Sequence, residues 1–421
     1  MPETKNATNV RKLARVLMAA RGGSDKSRVE ALSGSETRWF GVGSSSLIDP
    51  RCAGREATER ALKGDDGKLL IAFGSDRYEL PALLEGIADN AEGVPVIGCS
   101  TAGEIATGGA GDAGVVVVAL GGDGFSVATG SATAASANLR AAGERAAACM
   151  GELGGHEHRA LIMLTDGLAG NQQEIVRGAH GVLGSGVPLV GGCAGDDLKM
   201  SKTFQFAGSE VLTDAVVTAA IGSVAPLGIG VRHGWRRVGE PVLVTRSEGN
   251  LVFELDEKPA LDVYLQRLEA PASARTDPAE FTRFALTHPL GIGRRSGEDQ
   301  VRFIGGADFD DRSLACIAEV PPAAMAWFME GDRDSVLAAT DSACQDALVP
   351  LGDASPLGMI VFDCIARRGV LGEDGIQEEI RRVTSVSGGV PVAGFYTYGE
   401  IARTHGAGGF HNQTLVALAF G

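Results

Sequence analysis

The residues best equipped for chemistry cluster in two phrases near opposite ends of the chain, Val94–Ile105 (V-P-V-I-G-C-S-T-A-G-E-I) and Val390–Ile401 (V-P-V-A-G-F-Y-T-Y-G-E-I). Both read V-P-V-x-G, four residues, then G-E-I, and a shorter relative spans Val187–Asp196. Glycine-rich loops leaving buried strands are where α/β sheets bind ligands, because a missing side chain lets backbone amides approach closely. In the first copy Cys99, Ser100, Thr101 and Gly103 offer hydroxyls and amides to a carboxylate, while Glu104 suits an ammonium group. The last copy sets Phe395, Tyr396, Tyr398 and Gly399 ahead of Glu400, combining aromatic faces and hydroxyl tips with a second acid. Gly192, Asp196 and Asp197 close the middle loop, and Arg367 follows an apolar run as an anion clamp. Such a set fits a zwitterionic amino acid. It fits equally a structural role in which the glycines make turns and the acids cap backbone amides.

Catalysis is the weaker expectation. Gly98–Gly103 looks like a nucleophile elbow, but Ser100 leads into Gly103-Glu104-Ile105-Ala106-Thr107-Gly108-Gly109, which cannot start a stable helix. A hydrolase or transferase built on Cys99 or Cys364 needs a histidine base, and no local spacing nominates one. Asp196 and Asp197 are adjacent and diverge, so neither a shared acid–base pair nor a metal site is expected. The chain reads as a non-enzyme, with a cysteine-nucleophile enzyme as the outlying rival.

The elements that must position these residues alternate strand and helix. A first unit runs strand 38–43, helix 51–63, strand 69–73, helix 79–91 and strand 94–98, with a further strand 115–120. A second runs 125–131, 138–153, 160–165, 171–183 and 187–191, and a third 326–330, 332–348, 358–363, 374–386 and 390–394 with a final strand 415–420. Helix 79–91 puts Leu80, Leu83, Leu84, Ile87, Ala88 and Ala91 on one face. The expected fold class is α/β, with repeated β-α-β-α-β(β) units in mixed, largely parallel sheets covered by helices. A β-rich insert from about 226 to 322 separates the second and third units, and 270–278 reads as a surface loop.

With 421 residues, 44% hydrophobic and 22% charged, the chain has ample material for a core, and its net charge of −15 argues against nucleic acid and acidic membranes as partners. Residues 1–37 form an extension, helical or disordered. Its first stretch is basic but has no long apolar core, so it reads as neither signal peptide nor anchor. Seven scattered cysteines without a C-x-x-C pair indicate a reducing compartment and, with the rest, a cytoplasmic protein.

The ordered set of motifs resembles the FIST sensory family. Its N-terminal region is matched by Gly41–Ser46, Ala53-Gly54-Arg55-Glu56-Ala57, Ile97–Ile105 and Val190–Asp197. The C-terminal region is matched by Lys258–Tyr264, His288–Gly291, Phe362–Arg367, Gly394–Ile401 and Phe410-His411-Asn412-Gln413-Thr414. The resemblance implies an N-terminal domain at 38–225 and a C-terminal domain at 226–421. It implies a stand-alone intracellular sensor that binds a small molecule, amino acids among the candidates, and signals to a separate histidine kinase, cyclase, phosphodiesterase or chemoreceptor. A homo-oligomer is a further candidate state. Asn412 joins the candidate ligand-binding residues on this ground. No cofactor is required by this reading, although some family members are haem-binding nitric-oxide sensors. In that alternative His233, His405 or His411 is the axial ligand, and a partner kinase or cyclic-di-GMP enzyme takes the signal.

Overall fold

A computed structural model of the chain describes residues 37–91, 93–111, 113–294, 299–403 and 408–421. The expected extension at 1–37 lies almost wholly outside the described residues, as does His405. Residues Arg38–Gly421 form one unit.

The first part runs β1 (Trp39–Ser45), α1 (Pro50–Ala61), β2 (Gly67–Ser75), α2 (Leu80–Ala88), β3 (Val96–Thr101), a hairpin of β4 (Glu104–Ala106) and β5 (Gly109–Gly111), then β6 (Val115–Gly121). The second repeats the order with β7 (Phe125–Thr133), α3 (Leu139–Ala147), β8 (His158–Thr165), α4 (Gln172–Leu183), β9 (Leu189–Cys193), the hairpin β10 (Gln205–Ala207) and β11 (Glu210–Leu212), and β12 (Ala215–Ser223). After β13 (Leu227–Arg232) come β14 (Arg236–Glu248), β15 (Leu251–Leu255), β16 (Lys258–Pro259), α5 (Ala260–Arg267), α6 (Pro278–Ala285), β17 (Leu290–Ile292), β18 (Gln300–Arg302), β19 (Ile304–Asp308), β20 (Ser313–Cys316) and β21 (Met325–Glu330). The chain closes with α7 (Arg333–Leu348), β22 (Gly358–Cys364), α8 (Ile365–Val386), β23 (Val392–Thr397), the hairpin β24 (Glu400–Arg403) and β25 (Phe410–His411), and β26 (Leu415–Phe420).

Local chemistry sets these boundaries. Asp49 accepts the Cys52 amide at 2.7 Å ahead of Pro50, so α1 starts with a side-chain cap and a proline that needs no donor. Asp332 and Ser335 close a capping box on α7. Helix α8 begins well before the expected 374 and breaks at Gly372, whose φ of 66° interrupts the helical path.

Three six-stranded sheets share one strand order. In the first, β1-β6-β2-β3 continues into β10-β11; in the second, β7-β12-β8-β9 continues into β24-β25; in the third, β13-β26-β22-β23 continues into β4-β5. Each unit therefore lends its hairpin to another unit's sheet: the first to the third, the second to the first, the third to the second. The expectation of largely parallel sheets is corrected. The parallel ladders are β2–β3, β8–β9 and β22–β23, one per sheet. Strands β6, β12 and β26 instead run antiparallel to their neighbours, because each returns through a hairpin rather than a helical crossover.

The third unit is also corrected. Its expected first strand is β21, which pairs with β14 and β17 in a separate antiparallel sheet. The edge place that β1 holds in the first sheet belongs in the third to β13. Both strands meet their helix through glycines: a Cβ on Gly43 would lie 2.0 Å from Ala57 O of α1, and one on Gly230 would lie 1.9 Å from Ala343 O of α7. The insert thus interrupts the third unit between its first strand and first helix.

The inner faces of the three sheets meet in one core of Phe73, Ile97, Cys99, Leu164, Val190, Phe362, Phe395 and Phe420, among others. Phe73 and Phe395 pack with centroids 4.8 Å apart, and Phe420 contacts Phe40 at 5.3 Å and Phe125 at 6.2 Å, so all three units contribute. Helices cover the outer faces, and the insert has its own core around Tyr264, Phe281 and Phe328.

Candidate functional site

The two Gly-Glu loops are the turns from β3 into β4 and from β23 into β24, and each folds around its acid. Thr101 Oγ1 donates to Glu104 Oε1, and the Gly114 amide donates to Oε2 at 3.0 Å. Thr397 Oγ1 donates to Glu400 Oε1 at 2.5 Å, while the amide and hydroxyl of Thr414 reach Oε2 at 3.1 and 2.8 Å. Each carboxylate pins its turn to the chain that enters or precedes the return strand. Burial pushes Glu400 up to about 7 against the opposing hydrogen bonds from Thr397 and Thr414.

The middle loop does the same with a different acid. Asp196 accepts the amides of Met200, Ser201 and Lys202 at 2.9, 2.7 and 2.9 Å and the Tyr398 hydroxyl. Burial raises its pKa, but these donors prevail and hold it below the usual carboxylate range. Asp197, at φ 56°, pairs with Arg77 at 3.0 Å. Ser100 Oγ donates to Gly195 O at 2.7 Å and accepts the Phe204 amide at 3.0 Å, stitching β3 to the chain that enters β10. The Gly103 carbonyl accepts the Tyr396 amide at 2.8 Å, the Ala102 amide donates back to Tyr396 O at 3.0 Å, Gly192 pairs with Glu400, and the Gly399 carbonyl accepts the Cys193 amide. Cys99 and Phe395 lie in the central core; Tyr396 and Asn412 are buried as well.

Arg367 has no exposed surface. Its Nε reaches Asp363 at 2.7 Å, and its Nη2 reaches Glu379 at 2.6 Å and Thr340 at 2.8 Å. This guanidinium is engaged with internal acids. Burial and then the Glu379 charge push the Asp363 carboxyl far above the usual carboxylate range.

An open cleft of about 810 Å³ lies where the end of β1 and helix α1 face the β4–β5 hairpin, with Gln377 of α8 on a further side. Ser44, Ser45, Ser46 and Leu47 form one wall, Gly108, Gly109, Gly111 and Gly114 another, and Glu104 borders it. Of the candidate ligand-binding residues read from the sequence, Glu104 alone lines this cleft. Glu56 and Arg60 of α1 complete it: Ser45 Oγ donates to Glu56 Oε2 at 2.5 Å, and Arg60 reaches Glu56 Oε1 and Ser44 O, both at 2.7 Å. Glu56 sits inside a motif already noted, A-G-R-E-A, yet nothing local in it marks a pocket. Gln377 arrives from more than 260 positions away and carries no sequence signal.

The described histidines do not join this cleft. His411 Nε2 is 3.0 Å from Ala402 O, and burial lowers its pKa to about 4. His233 Nδ1 accepts the Trp235 amide at 2.9 Å beside a separate cleft of about 550 Å³. Axial ligation needs an imidazole nitrogen directed at iron, and the Nε2 of His411 is directed at a carbonyl instead, so His411 does not fit that role through this nitrogen.

Comparison with known proteins places two adjoining family models on the chain, the FIST N domain over residues 68–258 and the FIST C domain over residues 260–403. An uncharacterised protein of Methanocaldococcus jannaschii is 34% identical over 114 residues, 25% of this chain and 22% of that protein. Uncharacterised proteins of Mycobacterium tuberculosis and Mycobacterium bovis are 26% identical over 247 residues and 28% identical over 250, each match covering 56% of this chain and 61% of the relative. The chain thus spans less than two thirds of these curated relatives. Among solved structures, cyanuric acid hydrolase from A. caulinodans aligns at 11% identity over 45% of this chain and 72% of that one, with a TM-score of 0.24 that carries no argument.

Proposed function

Since the chain belongs to the FIST family, whose domains are sensory domains of signal transduction, we propose that it senses a small zwitterionic molecule of the amino-acid class in the cleft between α1 and the β4–β5 hairpin. The observation that carries this reading is the lining of that cleft. Glu56 and Glu104 supply negative charge for an ammonium group, while Arg60, the serines and the glycine backbone supply donors for a carboxylate. Its volume lies within the usual range for ligand pockets.

The cleft lies on a boundary. Its walls belong to the first unit, but the hairpin is a strand pair of the third sheet and Gln377 lies on the third unit's long helix. A ligand that binds one arrangement of this boundary more tightly than another shifts the population between them, and a signalling protein in trans reads the shift. The action is binding rather than turnover. In support, burial pushes the Cys99 and Cys364 thiols well above their usual values, which removes the thiolate a nucleophile needs.

A melting-temperature screen with the twenty amino acids tests the reading. A true ligand at 100 times its Kd adds about 2.7 kcal/mol to the unfolding free energy, and Glu56→Gln weakens binding about tenfold. No shift with any of the twenty at millimolar concentration removes the reading.

A further inference from the structure

We propose that the cleft continues over the β4–β5 turn into a second lobe, and that the two lobes together hold a short peptide in extended form. The inference rests on the ligand-binding reading above and names its ligand class more narrowly. The second lobe is a cavity of about 350 Å³ against α8, and it shares Gly108, Gly109 and Gln377 with the first. The two are compartments of one groove that crosses the hairpin tip.

The two ends of that groove differ in the groups they offer. At the first end stand Glu56 and Glu104, suited to a terminal ammonium. At the other stand Arg381, whose Nε and Nη2 both donate to Glu378 at 3.0 and 2.8 Å, and Thr384, whose Oγ1 is buried and has no hydrogen-bond partner, so the threonine hydroxyl is a donor in place for a terminal carboxylate. Ile380 gives this lobe an apolar wall. Between the ends, a Cβ on Gly108 would meet nothing within 4 Å, which leaves bare backbone along the saddle. The Gln377 side chain lies over Gly109, and its amide both donates and accepts, matching a peptide group in kind.

Two further facts favour a peptide over a free amino acid. Among the described residues strand β5 ends the strand order of the third sheet, so its outer side is an edge to which an extended main chain can pair. A free amino acid would occupy one end of the first lobe and leave the second lobe and its hydroxyl unused.

Titration calorimetry of the full chain with alanine, dialanine, trialanine and tetraalanine tests the proposal, because the series lengthens the main chain without adding side-chain chemistry. Affinity is expected to rise about tenfold or more from alanine to trialanine, and to fall as much when the amino terminus of trialanine is acetylated. In Thr384→Val, with an unchanged far-ultraviolet dichroism spectrum, the trialanine-to-alanine affinity ratio is expected to fall towards one. If alanine or another amino acid binds and trialanine binds no more tightly, the peptide inference is overturned while the ligand reading stands. An unchanged ratio in Thr384→Val likewise overturns the second lobe. If neither the peptides nor any of the twenty amino acids binds, both fall together.

Discussion

Glu400 is fully buried yet lies in a nest of donors, and the balance between those two facts decides its charge. Burial wins, and its pKa stands at about 7 against a usual 4.5. Because the folded value is the higher one, the fold holds a proton that the unfolded chain has lost across that window. The resulting stabilisation is complete below about pH 4.5 and declines as pH rises to about 7, by up to roughly 3 kcal/mol. His411 acts in the opposite sense, since burial lowers it from 6.5 to about 4 and its contribution is lost as pH falls through that range. Urea titrations of the parent and Glu400→Gln separate the two effects. The variant's deficit is expected to be about 2 kcal/mol larger at pH 5 than at pH 8, and equal deficits at both would contradict the buried-acid account. At this scale the sequence made the residues visible and left their duties open. The loops read from the sequence are turns between strands, and their acids accept from amides and hydroxyls of the same fold, a duty that the residue types alone do not separate from ligand binding. The cleft depends on Glu56, Arg60 and Gln377, residues that only tertiary packing brings to Glu104.

At the scale of elements, glycine position separates packing from freedom. Gly230→Ala would drive a Cβ against the Ala343 carbonyl and lever β13 away from α7, at an expected cost of about 1–3 kcal/mol in chemical denaturation. Gly181→Ala, on the exposed face of α4 with nothing within 4 Å of its Cβ, is expected instead to stabilise by about 0.5–1 kcal/mol. The opposite signs test whether Gly230 is held by the helix or by the turn chemistry around it. The same glycine contact could have revealed the third unit, because Gly228-Ile229-Gly230 matches Gly41-Val42-Gly43. It was hidden by the insert, which puts roughly one hundred residues between that strand and its helix. The surface-loop reading of 270–278 covers Asp277-Pro278, which is a helix-start signal and the point from which α6 begins.

For the whole molecule the decisive fact is where the hairpins go. Periodicity reveals that strands and helices alternate, but it cannot say which sheet edge accepts β4–β5, β10–β11 or β24–β25, because edge pairing is settled by contacts far apart in sequence. With a shared core and each of the three six-stranded sheets completed by a neighbour's hairpin, the three units are expected to melt in one transition. Scanning calorimetry should give a van't Hoff enthalpy equal to the calorimetric one for residues outside the insert's separate core, and three resolved transitions would contradict it. The exchange also has a mechanical consequence. Three partners that each grasp the next form a closed linkage, and a closed linkage with three joints has no joint that turns alone. If the proposed ligand wedges beside β4–β5, the displacement is expected to be shared with the joints at β10–β11 and β24–β25 rather than confined to its own.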